Sequence, residues 1–258
     1  WGLIVGQTPT VLLGIFADSR AAGFYALSIR MVEIVLKLTV RAIQSVAQSA
    51  VAALRRQSGA TAPFFLELTE LTALVSFTSF AGLALIAFPL TDVLLGPEWQ
   101  PVSVILPIMC IAGAIKALIS MNEAYLLAID GLKPFVRAIR IEALIGLAIF
   151  PVASLYGGTA VAVAIVMQST LVLPLCMRAA QLPEAISTSS YLETLRAPAI
   201  VCAAMTLALI IWRAFALENI PDILYLVGAI IIGVAVAGTV VFGFMPKTRQ
   251  RLKEYVAG

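Results

Sequence analysis

The sequence contains no histidine, and only 12% of its 258 residues are charged. The first absence removes the commonest general base and metal ligand. The second removes the polar surface that a water-soluble domain of this size needs. The three cysteines, Cys110, Cys176 and Cys202, sit inside apolar stretches without metal-ligand spacing and read as small packing residues. There is no Gly-rich phosphate loop, zinc motif or nucleophile elbow. No metal, cofactor or catalytic residue is therefore expected. The basic pI of 8.9 comes from loops and does not point to nucleic acid.

What the chain has in abundance is hydrophobic length. Mean hydropathy is +1.03 and 61% of residues are hydrophobic. Runs of about 20 apolar residues recur, each long enough to cross a hydrocarbon core of roughly 30 Å as a helix. The reading is an all-α, polytopic transmembrane bundle of about eight spans. They lie near 2–16, 24–53, 71–95, 102–128, 135–155, 158–177, 197–216 and 222–244.

Charge orients the spans. The connections at 54–70, 129–140 and 178–196, with the tail, carry Arg55, Arg56, Lys133, Arg137, Arg140, Arg178, Arg196, Lys247, Arg249, Arg251 and Lys253. The opposite set of loops has only Arg20 and Arg213, with Asp18, Asp92, Glu98, Glu218 and Asp222. Lys and Arg resist translocation, so the basic set and the C-terminus are predicted to be cytoplasmic. The first span starts at Trp1 with no loop before it and no signal-peptide pattern. This predicts the C-terminal part of a longer polytopic protein.

The second span carries a polar stripe. At 100° per residue Arg30, Glu33, Lys37, Arg41, Gln44 and Gln48 fall within a sector of roughly 80°. Arg30 lies about 9 Å and Arg41 about 26 Å along the helix from Phe24, so the stripe runs through most of the bilayer. A charge at the bilayer centre costs about 2.5–3.5 kcal/mol even on insertion scales, so these side chains must face a wet cavity or partners. A Glu33–Lys37 pair at i, i+4 would satisfy one cation and leave Arg30 and Arg41 over. An amphipathic helix lying flat at the interface is the other bland reading, but it breaks the alternation of basic loops.

The fourth span places Lys116, Ser120 and Glu123 on one face, with Lys116 about 22 Å along from Pro101. Lys116 could instead serve a structural pair with Glu33 or Glu123. Together the two helices set Arg30, Lys37, Arg41 and Lys116 against Glu33 and Glu123. A net-basic intramembrane cavity favours an anionic group, and the guanidinium fork suits phosphate or diphosphate. Glu142 is expected to pair with Arg137 or Arg140, Gln168 is ambiguous, and Trp99 and Tyr156 read as interface anchors.

Several segments carry a resemblance. Ala21-Ala22-Gly23-Phe24-Tyr25-Ala26 opens the polar helix, and Leu94-Leu95-Gly96-Pro97-Glu98-Trp99 follows a Pro-containing span. Leu127-Ala128-Ile129-Asp130-Gly131 ends the next span, and Tyr156-Gly157-Gly158-Thr159-Ala160-Val161-Ala162 opens another. Together they resemble the C-terminal half of polysaccharide biosynthesis proteins, the bacterial flippases for lipid-linked O-antigen and exopolysaccharide units. These belong to the multidrug/oligosaccharidyl-lipid/polysaccharide exporter superfamily.

The resemblance implies two six-helix bundles facing a central cavity, with two extra helices. Residues 1–180 would form the second bundle, 181–196 a cytoplasmic linker, 197–246 the added pair and 247–258 a basic cytoplasmic tail. It implies a non-enzymatic transporter of the bacterial inner membrane, flipping polyprenyl-diphosphate-linked oligosaccharide by alternating access. Implied partners are membrane lipids, an N-terminal bundle of the same protein, and polysaccharide polymerase or assembly proteins. By position, the resemblance implies that Arg30 is the best match to the family's cationic cavity residues, with Lys37 and Arg41 as its neighbours.

The alternatives are three, of which a structural membrane subunit without transport would explain the hydrophobicity but not the stripe. A multidrug or cation exporter of the same fold would want a net-acidic cavity. A membrane glycosyltransferase, polymerase or ligase would need catalytic groups on a sizeable external loop, and the predicted ones are short.

Overall fold

The computed structural model describes residues 2–57, 60–216 and 221–244. Among them are nine α-helices and no strand: α1 Gly2–Phe16, α2 Ser19–Arg56, α3 Ala62–Leu85, α4 Ala87–Leu95, α5 Gln100–Ala128, α6 Leu132–Ser154, α7 Gly158–Gln181, α8 Thr188–Ala216 and α9 Asp222–Phe244. The predicted basic tail, with Lys247, Arg249, Arg251 and Lys253, lies outside the described residues, as does Glu218.

The polytopic helical bundle expected from the sequence is what the chain forms. Four helical stretches are long and apolar enough to cross a membrane on length and composition alone: Ala62–Leu85, Pro97–Ala128, Gly158–Glu184 and Thr188–Phe215. The others in the predicted set fall short for identifiable reasons. α1 has 15 residues, and α9 contributes a shorter apolar stretch, Ile223–Thr239. α2 carries its charges mid-helix, and α6 opens on Lys133, Arg137, Arg140 and Glu142.

Local chemistry sets the boundaries. Asp18 caps α2, its carboxylate accepting the Ala21 N–H at 2.5 Å. Arg55 and Arg56 occupy the last turn, where cations complement the helix dipole. The third predicted span is two helices broken at Ile86. Pro89 has no N–H to offer the Leu85 carbonyl and its ring would crowd it, so α3 ends there. The ladder restarts with Leu90 N–H donating to Ile86 O at 2.9 Å. At Gly96, φ is +84°, a conformation open to glycine, and the chain turns into Pro97–Trp99 and α5. Trp99 meets Phe24 edge-on, with ring centroids 5.5 Å apart, while the other predicted anchor, Tyr156, is 78% exposed.

Two connections differ from the sequence reading. Residues 62–70, expected in a loop, are the start of α3. The linker predicted at 181–196 shrinks to a 3-10 turn, Leu182–Glu184, and a bend, because α8 already begins at Thr188.

α5 is the central pillar, packed on α2, α3, α4 and α7, while α1 joins α2 to α6. One apolar core holds Tyr25, Phe80, Leu106, Met109 and Phe150, and a second holds Val51, Phe65, Met121, Tyr125, Cys176 and Tyr191. Close approach of α5 depends on Gly113, where an added methyl would lie 2.6 Å from the Phe80 ring and 2.9 Å from Val32. α8 runs along α3, and α9 lies against α8 and α4. Met205, Leu209, Tyr225 and Ala229 make their own core over Ala81, Leu85 and Ile86.

Candidate functional site

The polar stripe of α2 remains on one side of one long helix. Val32, Val40 and Ala47, on its packing side, are buried. Glu33, Leu36, Lys37, Val40, Arg41 and Gln44 of α2 line, with Ser120 of α5, a cavity of about 280 Å³. Arg30 stands apart from it: its guanidinium lies 3.7 Å from the Glu33 carboxylate, and its side chain is 71% exposed.

The Glu33–Lys37 pair expected from the i, i+4 spacing is not formed. Arg30 reaches Glu33 from the i, i+3 position, which is equally adjacent on a helix surface. Lys37 and Arg41 have no ion pair among the described residues, and both are exposed. The stripe thus presents two uncommitted cations at its cavity.

α5 supplies less to this cavity than its spacing predicted. Ser120 lines it, whereas Lys116, one turn earlier, is half-buried outside the lining and Glu123 is exposed. Lys116 forms no ion pair within 4 Å with Glu33 or Glu123. Glu142 of α6 does not pair with Arg137 or Arg140 either. The Gln168 side-chain amide of α7 donates to the Glu142 backbone carbonyl at 2.6 Å, fixing that turn of α6 against α7. Among the described residues no group of three or more His, Cys, Asp or Glu side chains comes together to hold a metal.

A polar cluster at the opposite end of α5 from Trp99 escaped the sequence reading. The Glu184 carboxylate accepts the Ala62 N–H at 2.6 Å and the Thr61 N–H at 3.2 Å, and also takes the Thr61 hydroxyl. Thr61 in turn meets the Tyr125 hydroxyl at 3.2 Å, and Tyr191 donates to the Asn122 side-chain carbonyl at 3.0 Å. A carboxylate from the α7–α8 turn therefore caps α3. Thr61 followed by Pro63 marks a helix start in the sequence, but nothing local reveals a cap 123 residues away. A second, apolar cavity of about 310 Å³ lies at the α3–α4 break, lined by Gly82, Leu83, Ile86, Met205, Leu209 and Gly233 among others.

A polytopic helical membrane protein with a basic stripe along one face of a long helix is the class these features define. Residues 2–104 match the family model described as "Polysaccharide biosynthesis protein". The Bacillus subtilis (strain 168) "Teichuronic acid biosynthesis protein TuaB" is 30% identical over 119 residues, 46% of this chain and 24% of the relative. The solved structure of "Lipid II flippase MurJ, inward closed conformation" superposes with a TM-score of 0.76 at 16% identity. That match covers 93% of this chain and 51% of the MurJ chain. The likeness to MurJ is one of fold. The resemblance to polysaccharide biosynthesis proteins read from the sequence is borne out. The chain spans about a quarter of the TuaB relative's length and about half of MurJ's.

Proposed function

We propose that this chain supplies one bundle, and the added helix pair, of a flippase that moves polyprenyl-diphosphate-linked oligosaccharide across a bacterial inner membrane. The observation that carries the reading is the α2 cavity, where Lys37 and Arg41 have no ion pair among the described residues. Ionised side chains inside a membrane protein mark a substrate path by default, and two unpaired cations call for an anion. The diphosphate head would occupy the α2 cavity while the prenyl tail stays in lipid, and rocking of two bundles would expose the cavity to each side in turn. No bond is made or broken, so the protein acts as a transporter. The proposed orientation puts Arg55, Arg56, Lys133, Arg137, Arg140 and the C-terminus in the cytoplasm.

The matched family model and the two named relatives support a role in glycan export. The test is a lipid extract from cells lacking the intact gene, with surface polysaccharide measured beside it. Accumulated polyprenyl-diphosphate-linked glycan with lost surface glycan is the expected result. Normal amounts in both pools would refute the reading and favour drug export.

A further inference from the structure

α6 opens with three cations that no acid among the described residues pairs with. Lys133, Arg137 and Arg140 stand at i, i+4 and i+7 on one side of the helix, and all three are exposed. The carboxylate just before the helix, Asp130, is engaged by Arg55 at 3.3 Å. The first turn of α6 holds no acid and its start has no side-chain cap, so the helix dipole opposes Lys133. Arg55, Arg56 and Arg178 differ, because they lie in the last turns of α2 and α7, where the dipole favours a cation.

The same face of α6 then turns apolar. At 100° per residue Leu144, Leu147 and Leu155 fall with the three cations in a sector of roughly 80°, and all are exposed. α6 packs on α7 and α1 through its opposite side, where Phe135, Ala138, Gly146 and Phe150 are buried. Arg140 lies about 22 Å along the axis from Leu155, and with the reach of its side chain this matches a hydrocarbon core of roughly 30 Å. The guanidinium groups of Arg137 and Arg140 therefore arrive at the depth of lipid phosphates, with Lys133 about 10 Å beyond Arg140.

We propose that this face of α6 binds the head of an anionic phospholipid in the cytoplasmic leaflet, with the acyl chains laid along Leu144 and Leu147. The leaflet follows from the orientation proposed above, whereas the site itself does not depend on the flippase reading. A guanidinium fork takes two phosphate oxygens at once, and the lipid supplies the counter-charge that the chain does not. A soluble anion would use the cations and leave the leucines idle. A phospholipid uses both.

The experiment follows the unfolding temperature of the purified full-length protein in detergent as phosphatidylglycerol is added, with phosphatidylcholine and inorganic phosphate as comparison probes. Phosphatidylglycerol alone should raise it. Arg137→Gln should raise the lipid concentration for half the effect roughly fivefold, the worth of one cation near anionic lipid. The triple variant Lys133→Gln, Arg137→Gln, Arg140→Gln should raise it about a hundredfold. A matched triple variant, Arg55→Gln, Arg56→Gln, Arg178→Gln, should leave it unchanged. Equal losses in the two triple variants would mean a general surface potential and overturn the site. An unchanged response in the α6 triple variant would overturn it too, as would an equal response to phosphatidylcholine or to phosphate. A wild-type protein that does not respond would show the face covered by the rest of the protein, and the proposal would fall. If the α6 triple variant does not insert, Arg137→Gln decides: the fivefold shift upholds the proposal and its absence overturns it. Any of these failures leaves the flippase reading standing, because none of the three α6 cations lines the α2 cavity.

Discussion

α2 and α5 lie side by side and are built in opposite ways. α5 has a buried face running its whole length, with Val102, Leu106, Met109, Met121 and Tyr125 all shielded, and Gly113 lets its neighbours close on it. α2 shields one edge through Val32, Val40 and Ala47, and leaves Lys37 and Arg41 uncovered. The pillar is held by packing, where any added volume is felt. The charged wall is held by its neighbours on one side only, and its exposed cations contribute little to stability. Stability and function are therefore expected to separate between two helices in contact.

The largest effect should come from breaking the pillar. Gly113→Val forces atoms into Phe80 and Val32, and the full-length protein should lose about 1–3 kcal/mol of stability, or fail to accumulate, as measured by thermal unfolding in detergent. Lys37→Gln should do the converse: transport falls by roughly tenfold, about 1.4 kcal/mol, with the unfolding temperature unchanged. A Lys37→Gln variant that unfolds as readily as Gly113→Val would collapse the distinction. Glu184→Ala removes the distant cap of α3 and should cost about 0.5–2 kcal/mol. That loss should appear as faster hydrogen exchange at Thr61 and Ala62, with no change at α2. Smallest of all, Arg55→Ala removes an exposed contact at 3.3 Å to Asp130 and should cost less than about 0.5 kcal/mol.

The sequence made some of this legible and hid the rest for physical reasons. Helical periodicity placed Glu33, Lys37, Arg41 and Gln44 together because residues on one helix share a face whatever surrounds it. The spans were found from hydropathy, yet the start of α3 was missed because Glu67, Thr69 and Glu70 make its first turns polar. The break at Ile86 is encoded by Pro89, but a proline within a long apolar run is also compatible with an unbroken helix, as Pro107 in α5 demonstrates. Pairings between helices were the least readable. Glu142 was matched to its sequence neighbours Arg137 and Arg140, whereas it pairs with neither among the described residues and its turn is held by Gln168 of α7. Glu184 gave no sign of its role, since a cap supplied across 123 residues depends on the tertiary fold.

The central claim, that the α2 stripe lines the substrate path, is tested most directly by the triple variant Arg30→Gln, Lys37→Gln, Arg41→Gln in the intact protein. Flipping of polyprenyl-diphosphate-linked glycan in reconstituted vesicles should be abolished while the variant inserts in the membrane as wild type does. Transport at the wild-type rate by a fully inserted triple variant would contradict the account.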